Sequence, residues 1–392
     1  MDNGQSIEST VQLCRNVNQT CAQSPQYQCC LGHQLLCVYD MPQKPESIGV
    51  CLKTCSKMGA ICGGFTRDPQ VCCEVLILSN LSLSLSKIHY SVSTVSLNAF
   101  KLGEGPHWDD SRQVLWFVDS NDYQVCQLNV STKLSECHKF DDLISLVHPY
   151  DNGDDLLVTI RNKLLRFNWT SKEGYYVAQV APQLNGKERF NDGKVDALGR
   201  LWIGTVLEGK SGVIKGKGNL YKWENGSFVK MSDGFYLTNG MTWSPDNKQM
   251  FINDSEDRKV YAFDFNLELG TISNKTILID GNNSTDLTVN DYPDGLTIDR
   301  SGYLWIGSYS NGRVFRVDPQ NGDVVDSVSI PCPLTTTPVF GGLNFDEMFV
   351  TTGYLNGDSD QRLKYPTCGQ VYRIVALDSN QFVGDIMFTI KN

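Results

Sequence analysis

The chain reads Pro293-Asp294-Gly295-Leu296-Thr297-Ile298-Asp299 and then Gly302-Tyr303-Leu304-Trp305-Ile306-Gly307. This stretch contains a glycine-marked apolar strand, an aspartate turn and a second strand rich in aromatic residues. The same order recurs elsewhere, in residues 104–108 with 115–119, 191–196 with 199–204, 239–243 with 250–252, and 341–342 with 348–350. Alternating strands separated by tight polar turns are typical of antiparallel hairpins.

The spacing of these units predicts a β-propeller. Four strands in every ~45–55 residues make one blade, and we place blade starts at residues 104, 148, 191, 239, 294 and 341. The sequence therefore predicts an all-β fold with a six-bladed propeller. Helical periodicity is nearly absent, which disfavours a barrel of strands and helices.

A ring of blades has to be closed by pairing its first and last strands. Residues 89–95 alternate as a strand does, and we predict that they form the outer strand of the last blade beside residues 371–375. The alternative is a disordered linker. Trp202 and Trp305 fall on strand positions that face neighbouring blades, so we expect them to be core residues.

Charge excludes some partners. The 392 residues include 34 Lys and Arg against 44 Asp and Glu, a formal net charge of −10. Binding nucleic acid requires a basic surface, so we expect no nucleic-acid partner. No apolar stretch approaches the ~20 residues of a membrane span, so we expect none. An acidic chain with clustered oxygen ligands suits hard cations.

Cysteines mark a separate N-terminal region, because ten of the 14 lie between Cys14 and Cys73. Six of them follow the pattern C-x6-C-x7-CC-x6-C-x13-C. This pattern resembles an inhibitor-cystine-knot (knottin) framework, which implies the pairs Cys14–Cys30, Cys21–Cys37 and Cys29–Cys51. Spacing alone leaves the pairing open. A second pattern, Cys55, Cys62 and Cys72-Cys73, looks like half of another knot.

Zinc is the alternative for these cysteines, but the region has no C-x2-C pairs with His partners. We therefore divide the chain into a Cys-rich knottin-like region at 1–75, a linker at 76–90 and the propeller at 91–392. The sequence does not identify a partner for the Cys-rich region.

Disulfides favour a secreted protein. So does the number of Asn-x-Ser/Thr sequons, which start at Asn18, Asn80, Asn129, Asn168, Asn225, Asn253, Asn274, Asn282 and Asn283. The first residues, Met1-Asp2-Asn3-Gly4, do not have the pattern of a signal peptide. Either a signal has been removed or the true start is missing, and a cytoplasmic location stays open.

Four cysteines lie in the predicted propeller. Cys126 and Cys137 flank a turn and would face each other in a hairpin, so we predict a cross-strand disulfide. Cys332 and Cys368 are a second candidate pair. The alternative for both pairs is free buried thiols.

Four blade starts carry an oxygen-bearing side chain beside glycine or aspartate: Glu104, Asn191, Asn239 and Asp294. The innermost strands of a propeller line its central channel, so these side chains are expected to meet at one mouth. Ligation by oxygen alone suits Ca²⁺, Mg²⁺ or Mn²⁺. The alternative is that these residues serve only as turn formers.

The motifs around these positions, at residues 103–108, 189–194, 238–244, 293–296 and 340–342, resemble those of the family that contains regucalcin (senescence marker protein), gluconolactonase and the beetle luciferin-regenerating enzyme. The resemblance covers residues 91–392. It implies one divalent cation, most simply Ca²⁺, with Zn²⁺, Mg²⁺ or Mn²⁺ as the other options.

Individual residues match the family's site. Glu104, Asn239 and Asp294 match its metal ligands, and Asn191 lies at the mouth of the metal and substrate site. Asp294 also matches the proposed catalytic acid/base, while Arg189 and Asn191 match substrate contacts. A further family glutamate falls here at Gly209, with Glu208 beside it as a candidate substrate contact.

The sequence thus predicts a metal-dependent hydrolase of a small lactone or related ester, of the gluconolactonase type. One alternative is a calcium-binding regulatory protein without turnover, which would use the same ligands. A luciferin-regenerating hydrolase is a narrower version of the first prediction. The third class is a secreted binding protein led by the Cys-rich region, with the propeller as a scaffold.

Overall fold

The computed structural model describes the backbone of residues 11–13, 36–38, 50–55 and 60–62, and then residues 88–151, 153–354, 359–377, 382–385 and 387–391. Its contacts divide the chain into two compact units, Met1–Ser86 and Lys87–Asn392. No helix among these described residues is long and apolar enough to cross a membrane.

The N-terminal unit contains a sheet with the strand order β1-β2-β3-β4. Its strands are β1 (Val11–Leu13), β2 (Leu36–Val38), β3 (Val50–Cys55) and β4 (Ala60–Cys62). The cysteine side chains of this unit lie outside the described residues. The knottin-like pairs Cys14–Cys30, Cys21–Cys37 and Cys29–Cys51 therefore stay predictions.

The second unit is a six-bladed β-propeller, which confirms the predicted fold. Blades 1 and 2 are built from four strands each, which are β6 (Gly103–Asp109), β7 (Val114–Asp119), β8 (Gln124–Asn129) and β9 (Leu134–Lys139), then β10 (Val147–Pro149), β11 (Asp155–Ile160), β12 (Lys163–Asn168) and β13 (Gly174–Gln179). A 3-10 turn, Pro182–Leu184, leads to blade 3.

Blades 3 to 5 continue the same antiparallel order. Their strands are β14 (Glu188–Val195), β15 (Leu201–Gly209), the short β16 (Gly212–Val213), β17 (Gly218–Glu224) and β18 (Ser227–Phe235); β19 (Thr238–Trp243), β20 (Gln249–Asp254), β21 (Lys259–Asn266) and β22 (Thr271–Asp280); and β23 (Tyr292–Ile298), β24 (Leu304–Tyr309), β25 (Arg313–Val317) and β26 (Val324–Ser329).

Blade 6 closes the ring, because its outer strand comes from the start of the unit. The sheet runs β27 (Thr335–Gly341), β28 (Glu347–Thr352), β29 (Tyr372–Ala376) and β5 (Tyr90–Thr94). Thr94 pairs with Tyr372 and Tyr90 with Ala376, which confirms the predicted closing strand. Helix α1 (Ser359–Lys364) lies in the connection between β28 and β29.

The sixth blade start was placed too late, because the inner strand begins at Thr335 rather than at residue 341. This strand opens with Thr335-Thr336-Thr337-Pro338 and has none of the Asn or Asp residues that mark blades 3 to 5. The Phe340-Gly341-Gly342 motif lies at its far end instead.

Aspartate and tryptophan explain the motif that repeats from blade to blade. The aspartate after an inner strand accepts a hydrogen bond from the indole Nε1 of the second strand, as in Asp196 with Trp202 at 2.9 Å and Asp299 with Trp305 at 3.0 Å. Both indoles are fully buried, which confirms them as core residues. A buried donor without a partner is costly, so the aspartate fixes the turn and the packing of the strand together.

Both predicted pairs of propeller cysteines form disulfides in the structure. Cys126 and Cys137 are directly opposed on the outer hairpin β8–β9. Cys332, which precedes β27, is joined to Cys368, which lies in the connection between α1 and β29.

Candidate metal centre and active site

Five of the six inner strands carry a β-bulge at the same place. The strand register shifts between Glu104 and His107, Phe190 and Gly193, Thr238 and Met241, Pro293 and Leu296, and Thr335 and Pro338. A bulge re-aims side chains and is common beside active sites. Asn191, Asn239 and Asp294 are each the first residue inside a bulge, and Glu104 directly precedes one.

Glycines let the inner strands approach one another closely at the axis. A Cβ atom at Gly240 would overlap the backbone nitrogen of Leu296, and one at Gly295 would overlap the side chain of Thr337. The residue after Asn239 and the residue after Asp294 are therefore glycines for steric reasons.

Glu104 and Asp294 are far apart in the sequence, but their carboxyl groups lie close enough for the charge of Asp294 to act on Glu104. Glu104 accepts a 3.0 Å hydrogen bond at Oε2 from the Thr337 hydroxyl. Asp294 is buried, and its Oδ1 has no hydrogen-bond partner. A buried carboxylate oxygen without a partner is unusual in proteins, and it is the kind of atom that a cation would satisfy.

Hydrogen bonds fix the orientation of the two amides. Asn239 donates from Nδ2 to the hydroxyl of Ser255 at 3.0 Å, so the Nδ2 of this buried amide is held by the protein. Asn191 donates from Nδ2 to the backbone oxygen of Thr238 at 2.8 Å, and its Oδ1 accepts from Nη1 of Arg189 at 2.9 Å. The Oδ1 of Asn191 thus already accepts a hydrogen bond from Arg189, which leaves the Oδ1 of Asn239 as the more available ligand atom.

A cavity of about 110 Å³ opens at this mouth. Its lining includes Glu104, Arg189, Asn191, Asp192 and Asn239. The volume suits the reacting part of a small molecule rather than a large ligand. Asp294 adjoins this group, because its charge raises the pKa of Glu104 and the Asn239 side chain lies close enough to favour its ionised form.

Burial and mutual repulsion make the carboxyl groups hard to ionise in the absence of a cation. Burial, together with the charge of Asp192, raises the pKa of Asp294 to about 8. Burial and the charges of Asp294 and Asp192 raise the pKa of Glu104 well above its ordinary value. Burial raises the pKa of Asp192 to about 6. A dication would favour the ionised forms of all three.

Basic side chains lie on three of the inner strands, β6, β10 and β14. Lys194 donates from Nζ to the backbone oxygen of Leu296 at 3.3 Å, and burial lowers its pKa to about 8. His107 and His148 pack edge to face with ring centres 4.8 Å apart, and burial lowers the pKa of each, that of His148 to about 4. Of these three groups, Lys194 is therefore the one that is mostly protonated, and so positively charged, at neutral pH.

Arg189 is held at the rim by a chain of ionic contacts. It donates from Nε to Oε1 of Glu208 at 2.7 Å. Glu208 in turn accepts at Oε2 from Nη1 of Arg161 at 3.0 Å, and Arg161 binds Asp142. Glu208 therefore contacts the candidate substrate-binding arginine directly, and it is positioned to orient the guanidinium group.

Several of these residues escaped the sequence analysis. Asp192 was overlooked, although it shares the bulge with Asn191. Thr337 was overlooked because its strand start was misplaced. Arg161 lies on a different blade from Arg189, and no local motif connects them. Glu104, Asn191, Asn239, Asp294 and Arg189 are brought together at one mouth.

The donor set fits a hard dication. Two carboxylates and the amide oxygens of two asparagines supply oxygen ligands alone, which is the preference of Ca²⁺ and Mg²⁺. In the part of the chain that the structure describes, no three His, Cys, Asp or Glu side chains form a metal cluster. The asparagines would therefore have to complete the ligand set.

Comparisons with known proteins agree with this architecture. Residues 102–354 match the family model described as SMP-30/Gluconolactonase/LRE-like region. The chain is 32% identical to regucalcin of Xenopus laevis over 289 residues, which cover 73% of this chain and 94% of the relative. It is 33% identical to human regucalcin over 280 residues, covering 71% and 91% of the two chains.

Solved structures show the same fold. A luciferin-regenerating enzyme, 29% identical in sequence, superposes with a TM-score of 0.70 and covers 78% of this chain and all of its own. A calcium-binding regucalcin from Agrobacterium tumefaciens, 20% identical, superposes with a TM-score of 0.68 and covers 77% of this chain and 98% of its own. The family match covers more than half of the chain and the curated relatives exceed 30% identity, so the chain belongs to the SMP-30/gluconolactonase/LRE-like family.

Proposed function

We propose that the propeller is a divalent-cation-dependent hydrolase of a small lactone or related ester, with Ca²⁺ as the first candidate cation. Glu104, Asn239 and Asp294 would hold the cation, with Asn191 beside them. The observation that carries the proposal is the partnerless Oδ1 of Asp294, which is buried near the buried Asp192 and the half-buried Glu104. A cation in that position would polarise the lactone carbonyl and offset the charge that develops on its oxygen.

The protein's own groups would perform the remaining steps. Asp294 takes a proton from the attacking water and returns it to the leaving alkoxide when the ring opens. The bound cation would keep Asp294 ionised and able to accept that proton, whereas without a cation burial and the charge of Asp192 raise its pKa to about 8. The guanidinium of Arg189 holds hydroxyl or carboxylate oxygens of the substrate, and Glu208 fixes its direction.

A hydrolysis screen with cation titration tests this proposal. The purified protein is assayed against aldonolactones, aromatic lactones and phosphotriesters, with Ca²⁺, Zn²⁺, Mg²⁺ or Mn²⁺ added after chelation. We expect cation-dependent opening of at least one class of lactone. Arg189→Met should raise KM more than it lowers kcat, because Arg189 is assigned to substrate binding.

The second candidate is a calcium-binding protein without turnover. It is favoured by the name of the relative from Agrobacterium tumefaciens, a calcium-binding protein. Cation binding without hydrolysis of any substrate in the screen would support this candidate over the first.

A further inference from the structure

Buried threonines fill the seam between the last blade and the first. Thr335, Thr336, Thr351 and Thr352 are each at most 1% exposed. A buried hydroxyl is costly unless it is hydrogen-bonded, so four of them in one place call for a polar network. Their partners lead from the candidate cation site on one side to a disulfide on the other.

On the inner side, two consecutive hydroxyls bind two consecutive residues of β6. Thr336 donates to the backbone oxygen of Gly103 at 2.6 Å, and Thr337 donates to Oε2 of Glu104 at 3.0 Å. The hydroxyl of Thr336 also lies 2.8 Å from that of Thr351. Blade 6 therefore fixes both the backbone and the carboxylate of the residue proposed as a cation ligand in blade 1.

On the outer side, two further threonines contact the backbone of Cys332 and of the two residues that follow Cys368. Thr335 donates to the backbone oxygen of Cys332 at 2.8 Å. Thr352 donates to the backbone oxygen of Gln370 at 2.7 Å and accepts from the backbone nitrogen of Gly369 at 3.0 Å. Because Cys332 is bonded to Cys368, which directly precedes Gly369, the disulfide joins the chain segments that make the two outer contacts.

The contact between blade 6 and blade 1 has more need of a covalent crosslink than the contacts between the other blades. Blade 6 is assembled from the two ends of the propeller unit, and the connection from β28 to β29 is long. Ordering a long connection costs entropy. A covalent bond between Cys332 and Cys368 restricts that connection where it meets the threonines.

We propose that the Cys332–Cys368 disulfide anchors the threonine network and thereby positions Glu104 for cation binding. Cys332, Cys368 and Thr337 are positioning residues in this scheme, and none of them contacts the cation. The inference rests on the proposed cation site. Cys126–Cys137 provides an internal comparison, because it crosslinks the outer hairpin of blade 1.

Calorimetric titration with Ca²⁺ tests the proposal on the full-length protein, after mass spectrometry has shown that both disulfides are formed. The double variant Cys332→Ala/Cys368→Ala should bind Ca²⁺ about tenfold more weakly. Cys126→Ala/Cys137→Ala should bind with wild-type affinity. Thermal unfolding of the metal-free proteins separates a general loss of stability, which both pairs can cause, from a loss of affinity.

A second pair of variants keeps the disulfide intact, in case the cysteine variant does not fold. Thr337→Val should weaken Ca²⁺ binding by a similar factor, and Thr337→Ser, which retains the hydroxyl, should restore it. Wild-type affinity in Thr337→Val, or equal weakening by both cysteine pairs, would overturn the inference alone. A wild-type protein that binds no Ca²⁺, Zn²⁺, Mg²⁺ or Mn²⁺ would overturn the proposed function and this inference with it.

Discussion

Asn253 donates a hydrogen bond of 2.6 Å from its side-chain Nδ2 to the backbone oxygen of Asp294. Asn253 is fully buried on β20 of blade 4, whereas Asp294 lies in the bulge of blade 5. The hydroxyl of Ser255 makes a similar contact with the residue before Asp294, because it donates to the backbone oxygen of Pro293 at 2.7 Å. The neighbouring blade thus supports the backbone on both sides of the proposed cation ligand.

Replacing Asn253 should therefore affect both stability and cation binding. Asn253→Ala leaves the carbonyl of Asp294 buried without this donor, at a cost of about 1–3 kcal/mol in the free energy of unfolding. It should also weaken Ca²⁺ binding. Asn129→Ala, at the exposed end of β8, is the control and should leave Ca²⁺ affinity unchanged. Equal Ca²⁺ affinities for the two variants would show that the hydrogen bond from Asn253 does not contribute to cation binding.

Asp294 should be indispensable for hydrolysis. We expect Asp294→Asn to lower kcat at least about a hundredfold, because it removes the group that transfers the proton. The control is Asp323→Asn, in an exposed turn of the same blade, which should behave as wild type. Steady-state kinetics with the best lactone measures both. Unchanged turnover in Asp294→Asn would remove this residue from the mechanism.

The metal-free protein should lose stability as the pH rises from about 6.5 to 8. In this range the folded protein keeps protons on Asp294, with its pKa near 8, and on Glu104, with its raised pKa, whereas the unfolded chain does not. The lowered pKa values of His107 and His148 act in the opposite direction mainly below 6.5, and the lowered pKa of Lys194 does so only as the pH approaches 8 and above. Thermal unfolding across this range measures the trend.

Cations should reverse that trend. Binding a dication requires the ionised carboxylates, so affinity should increase over the same pH range and protons should be released. Calorimetry in buffers with different ionisation enthalpies counts those protons. A melting temperature that rises with pH in the absence of metal would contradict the assigned pKa directions.

Ring closure predicts a sharp dependence on where the chain is cut. A fragment that begins at Lys87 keeps β5, which pairs with β29, and should unfold cooperatively. A fragment that begins at residue 96 exposes the edge of β29 and loses the side chains of Tyr90 and Val92, which pack against the core of blades 5 and 6. We expect it to melt at a clearly lower temperature. Similar melting temperatures would show that closure contributes little.

Much of this fold could be predicted from local patterns. The aspartate turn and the aromatic second strand repeat because the Asp–Trp hydrogen bond repeats, as in Asp299 with Trp305. The closing strand β5 was predictable because its residues alternate in the way a strand does, although it lies outside the repeated units. The start of blade 6 was not predictable, because this inner strand begins with threonines where blades 3 to 5 have asparagine or aspartate.

The site was predictable where one residue type marks one bulge, as at Asn239 and Asp294. Contacts between blades were not, because no local spacing records that Thr337 meets Glu104 or that Arg161 meets Glu208. Such pairs depend on how the blades lie around the axis. The Cys-rich region illustrates a different limit, since cysteine spacing leaves several pairings open.

The central claim is that oxygen atoms from separate blades bind one dication at the mouth. Calorimetric titration of the chelator-treated wild-type protein with Ca²⁺, beside Glu104→Gln and Asp294→Asn, tests it most directly. The account predicts one high-affinity ion per chain in the wild type and at least about tenfold weaker binding in each variant. Absence of binding by the wild type, or undiminished binding by both variants, would contradict it.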